Sequence, residues 1–148
     1  MRHRVEASGR IAAPASRVFS ILADFKEGHQ AILPDRHFRN FRVVSGGTGA
    51  GTVMEFDFHL GGRVRKVRSV AAEPESGRLL TETDREHDTT TTFRVDPDGE
   101  GSIVTIGTEF PVRPGLAGAI ERWMSTQMLR KVYRLELEQL ARYASERL

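Results

Sequence analysis

Five histidines, His3, His29, His37, His59 and His87, are the first residues to weigh for chemistry. No two stand at i, i+4 on a helical stretch, and no His/Asp/Glu cluster has metal-ligand spacing, so no metal site is expected. The chain has no cysteine, which excludes disulfides, thiolate ligands and a cysteine nucleophile. Ser20, Ser69 and Ser102 lack the G-x-S-x-G setting of a serine hydrolase. The glycines at 46, 47, 49 and 51 are followed by neither a lysine–hydroxyl pair nor a helix, so they read as a hairpin loop, not a phosphate cradle. Glu55 and Glu109 phase outward on strands with no partner for acid–base work. His59 shares the outward face of its strand with Glu55 and Asp57. The densest charge is Arg63-Val64-Arg65-Lys66-Val67-Arg68. Side chains alternate along a strand, so part of this run points inward, with Arg68 the natural choice to meet an acidic head group. The competing reading is a solvated edge that pairs with Glu82, Asp84 and Glu86.

The elements that position these residues follow from periodicity. Between His3 and Ile11, Val5, Ala7, Gly9 and Ile11 alternate with polar residues, which predicts a half-buried strand. Pro14 opens a helix with an apolar face of Val18, Phe19, Ile21 and Leu22, and a second short helix is expected from Lys26 to Leu33, stopped by Pro34. From Phe38 to Val112 the pattern is strand and turn. Gly61-Gly62 is a hairpin signal, and further turns fall at Pro74–Gly77 and Asp96–Gly99. Short turns between consecutive strands predict an antiparallel meander. After Pro114-Gly115, about thirty residues of good helix formers run to the C-terminus.

A twisted seven-stranded sheet needs a cover for its concave face, and only the terminal helix is long enough. Leu116, Ile120, Trp123, Met124 and Met128 form an apolar stripe in its first half. The stripe shifts to Val132, Tyr133, Leu137, Leu140 and Ala144 in the second. Met54, Phe56, Phe58, Phe93, Val104, Ile106 and Phe110 point inward from the strands. Such residues suit either a ligand cavity or a solid core.

The run Ile11-Ala12-Ala13-Pro14-Ala15-Ser16-Arg17-Val18-Phe19-Ser20-Ile21-Leu22-Ala23-Asp24, with Gly49-x-Gly51-Thr52 and the long terminal helix, resembles the START-like (SRPBCC) helix-grip superfamily. The likeness is to its polyketide cyclase/dehydrase and lipid-transport branch, and it spans the whole chain as one domain, 1–148. The resemblance implies an α+β helix-grip fold: a curved seven-stranded antiparallel sheet, two short helices, and a long C-terminal helix over the concave face. It also implies a cavity for a hydrophobic small molecule, lined by Met54, Phe56, Phe58, Phe93, Ile106, Phe110, Ile120, Trp123, Met124 and Met128. His29, near the short capping helices, and Arg68 are the polar candidates. No catalytic residue carries over, because members include carriers, sensors, aromatase/cyclases and co-chaperones.

Composition narrows the partners. Hydrophobic residues make up 39% and charged residues 28%, ordinary for a globular domain, and a net charge of +2 gives nucleic-acid binding little support. No stretch is apolar enough for a membrane span, and no signal region precedes the first strand, so a cytoplasmic location is expected. The expected function is binding or transport of a lipid, polyketide or similar molecule, without a cofactor. A polyketide cyclase/aromatase-type enzyme and a protein-interaction module are the alternatives. The chain is expected as a monomer, or as a homodimer through a sheet edge.

Overall fold

The computed structural model describes residues 2–146. Seven strands form one antiparallel sheet: β1 (Arg2–Ile11), β2 (Phe38–Ser45), β3 (Val53–Leu60), β4 (Arg63–Glu75), β5 (Leu79–Asp84), β6 (Thr89–Asp98) and β7 (Gly101–Pro111). They lie in the order β1-β7-β6-β5-β4-β3-β2, so β2 to β7 are a meander and β1 adds beside β7. The helices are α1 (Ala15–Ala23), α2 (Gly28–Ile32) and α3 (Gly115–Glu146). This is the α+β helix-grip arrangement expected from the sequence.

Local chemistry sets the breaks. The Asp24 carboxylate accepts backbone N–H groups of Lys26 and Glu27 at 3.2 and 3.3 Å, which starts α2 later than expected. The glycine-rich loop after β2 lies on the end of α1, with Phe25 donating to the Gly47 carbonyl and Gly49 donating to that of Ala23. That supports its reading as a structural loop. Gly61 and Gly62 both take positive φ, 58° and 77°, as a two-residue hairpin turn demands. Two strands outrun their expected turns. β4 continues through Pro74 by a bulge between Ala72 and Glu75, and β6 pairs as far as Asp98 with Gly101.

The core lies between the concave face, α1 and the second half of α3. Val18, Leu22 and Phe25 meet Leu80, Val95, Val104, Ile106, Val132 and Leu140 there. The closest backbone neighbours of α3 are β1 and α2. It therefore covers the β1–β7 side of the sheet more closely than the β2–β4 side.

Candidate functional site

Register places the concave side chains in rows across the sheet. Leu80, Phe93, Ile106 and Ala7 form an apolar row. The next row is Ala71, Glu82, Thr91, Thr108 and Val5, so polarity enters at the middle of the floor. Above it sit Tyr133 and Glu136 of α3, both buried. The Tyr133 hydroxyl pairs with Thr108 Oγ1, which lies 3.0 Å from Thr91 Oγ1.

His29 completes this interior cluster. It is 1% exposed and packs against the rings of Phe25, Phe41 and Phe93. Its Nδ1 lies 2.7 Å from the Leu22 carbonyl, which can only accept, so Nδ1 carries a proton and donates. Its Nε2 stands 3.0 Å from Glu82 Oε2, off the line of a good hydrogen bond. Burial, and then the charge of Glu82, push the Glu136 carboxyl well above the usual carboxylate range. Burial also raises the Tyr133 hydroxyl, against the pull of its bond to Thr108. The cluster thus holds a carboxyl that favours its neutral form beside a second acid, a histidine and a phenol.

The β2–β4 half of the floor is different. Phe38, Phe41, Phe56, Phe58 and Leu60 pack on the core but remain half-buried, as does Val67 opposite Phe56. Their rings touch in series, Phe38 to Phe58 at 5.0 Å, Phe38 to Phe56 at 5.4 Å and Phe41 to Phe56 at 5.7 Å. The result is a partly exposed aromatic floor, called the groove below. At its hairpin end a cleft of about 410 Å³ is lined by Arg36, His37, Leu60, Gly61, Met128, Lys131, Arg134 and Leu135. A Cβ on Gly61 would lie 3.1 Å from Met128 Sδ, so the bare turn leaves room for that side chain.

The structure sorts the residues singled out from sequence. Met54, Phe93 and Ile106 are inward and fully buried, and Phe56, Phe58 and Phe110 are inward and half-buried. Met128 lines the cleft. Ile120, Trp123 and Met124 do not join them: the Trp123 side is 66% exposed, and Leu116 is exposed with it. Of the first stripe Met128 reaches the sheet, at the Gly61 turn, and the second stripe packs into the core. Arg68 is corrected. It pairs opposite Glu55 and bonds it on the outer face, while Phe56 faces Val67 and Phe58 faces Arg65. The solvated edge is corrected too, because Glu82 and Asp84 are buried, Asp84 bonding the His87 ring at 2.6 Å. His29, the other polar candidate, is interior.

Glu136, Glu82 and Tyr133 were missed as a cluster. The signal for Glu136 was present: it is the one acidic residue inside the apolar stripe Leu129, Val132, Tyr133, Leu137, Leu140. Among the described residues no group of three or more His, Asp or Glu is arranged to hold a metal. No helix among them is long and apolar enough to cross a membrane.

A seven-stranded sheet gripping a long terminal helix over a half-covered aromatic floor defines a START-like helix-grip domain. The chain belongs to the family described as polyketide cyclase / dehydrase and lipid transport, which it matches over residues 2–145. The fold is thus that of a hydrophobic-ligand-binding family. The solution structure of the KanY protein is similar to it at 25% identity, covering 98% of this chain and 99% of that one, with a TM-score of 0.86. The Zhui aromatase/cyclase from Streptomyces sp. R1128 shares the fold at 18% identity, 99% and 96% coverage and a TM-score of 0.79. A START superfamily protein from Mycobacterium smegmatis does so at 14% identity, 97% and 98% coverage and a TM-score of 0.74. No curated protein matches the sequence.

Proposed function

We propose that the protein binds or carries a hydrophobic small molecule, such as a lipid or polyketide, in the aromatic groove between β2–β4 and α3. The observation that carries this reading is the half-burial of Phe38, Phe41, Phe56, Phe58, Leu60 and Val67, a continuous apolar floor with incomplete cover. Covering such a floor yields about 25 cal/mol per Å² of apolar surface removed from water. Calorimetric titration with decanol tests the reading. The protein should bind it, and Val67→Trp, which fills the groove floor opposite Phe56, should weaken binding at least about ten-fold, the equivalent of about 1.4 kcal/mol. Equal affinity in a folded Val67→Trp protein would overturn the groove as the site.

A second reading, an enzyme of the cyclase/dehydrase type, is favoured by one observation. Glu136 is driven toward its neutral form by burial and by the charge of Glu82, and a buried acid kept neutral in this way can serve as a proton donor. Here Glu136 would give a proton and the Glu82–His29 pair would take one. Glu136→Gln should then abolish turnover of a reactive polyketide chain. Unchanged turnover would leave binding as the whole function.

A further inference from the structure

The cleft at the hairpin end of the groove has an apolar floor and a basic rim, and this pairing names a ligand class. Leu60, Met128 and Leu135 supply the floor; Arg36, Lys131 and Arg134 supply three positive charges, and among the described residues no acidic side chain lines the cleft. None of these three cations has an ion pair or hydrogen bond to any described residue. Cations on the outer face are treated differently: Arg42 and Arg68 bond Glu55, Lys66 meets Asp57, Arg10 meets Asp98 and Arg94 meets Glu75. His37 fixes one ring nitrogen by donating Nδ1–H to the His59 carbonyl at 2.8 Å, and its other nitrogen has no hydrogen-bond partner among the described residues.

The register extends the same pattern onto the sheet. Leu60 faces Arg63 and Phe58 faces Arg65, so two more arginines, without an ion pair among the described residues, share the concave face with the aromatic row. An apolar body laid along Phe56, Phe58 and Leu60 therefore ends among uncompensated cations. We propose that the ligand is an amphipathic anion, its hydrophobic body in the groove and its acidic end, a carboxylate or phosphate, held in the cleft by Arg36, Lys131 and Arg134. This rests on the groove being the ligand site, and it assigns to these three residues the role that the sequence suggested for Arg68. Charge-assisted hydrogen bonds from Arg and Lys are the strongest available to such a head group, and Arg134 can meet it with a planar fork.

The test compares three ten-carbon probes, decanoate, decyl phosphate and decanol, by calorimetry at low and high salt, together with inorganic phosphate alone. The wild-type protein should bind at least one of the two anions about ten-fold or more tighter than decanol, and added salt should erode that advantage. Lys131→Ala/Arg134→Ala should bring the anion down to the affinity of decanol, and Arg68→Ala should leave the preference in place. Whichever of decanoate and decyl phosphate is held tighter identifies the head group. Equal binding of decanol and both anions overturns this proposal alone and leaves the groove standing. Failure of all three chains to bind overturns both. Inorganic phosphate bound as tightly as decyl phosphate also overturns it, because the cleft would then be a free-anion site without a chain.

Discussion

The two halves of the concave face share one sheet but not one cover. On the β1–β7–β6–β5 side, Leu80, Val95, Val104 and Ile106 are closed off by α1 and by Val132 and Leu140 of α3. On the β2–β4 side, Phe56, Phe58, Leu60 and Val67 point to the same face and stay half-buried, with Arg63 and Arg65 beside them. The difference follows the course of α3, along β1 and against α2. It separates a half that stabilises the fold from a half with partly exposed apolar surface, the one proposed to take a ligand.

Truncation is the strongest way to break this comparison. Leu140→Ala, in the closed half, should cost about 2–5 kcal/mol of unfolding free energy. Leu60→Ala, at the lip of the open half, should cost about 1 kcal/mol or less, since little of its transfer energy is gained without ligand. Denaturant unfolding measures both. Equal losses would mean that the two halves are packed alike.

A smaller effect sharpens the boundary between the halves, where Glu136 is buried. Its carboxyl titrates higher in the folded protein than in the unfolded chain. The folded state therefore holds the proton over a pH range in which the unfolded chain has released it. Stability contributed by the neutral acid is complete below the ordinary carboxylate range, about pH 4.3, and is lost as pH rises toward the folded value. The slope is at most about 1.4 kcal/mol per pH unit for one proton. Glu136→Gln should flatten it, so that the variant gains on the wild type from pH 5 upward in urea titrations. Parallel pH profiles would contradict the burial of that charge.

Legibility in the sequence followed the strength of local pattern. Met54, Phe56, Phe58 and Leu60 alternate strictly with polar residues, so β3 showed its faces, and its Gly61-Gly62 turn showed its pairing with β4. In Arg63-Val64-Arg65-Lys66-Val67-Arg68 the two valines are three apart and fall on opposite faces, so parity could not be read and Arg68 was turned inward. Leu79 and Leu80 leave β5 equally ambiguous, which hid the inward path of Glu82 and Asp84. The α3 stripes posed a different problem. Leu116, Ile120, Trp123 and Met124 look as apolar as Leu129, Val132, Leu137 and Leu140. Which stripe meets a partner depends on how far the sheet reaches beneath the helix, and no local window carries that. His29 needed the same long-range knowledge, since its burial comes from Phe25, Phe41, Phe93 and Glu82 on four separate segments.

The most direct measurement is an NMR titration of the protein with decanol, following side-chain methyl and aromatic signals. The open half should respond alone: Phe38, Phe41, Phe56 and Phe58, the Leu60 and Val67 methyls, and Met128 should shift together and saturate at one affinity. Saturating shifts confined to Leu80, Val95, Val104 and Leu140, or to the exposed stripe around Trp123, would contradict the account.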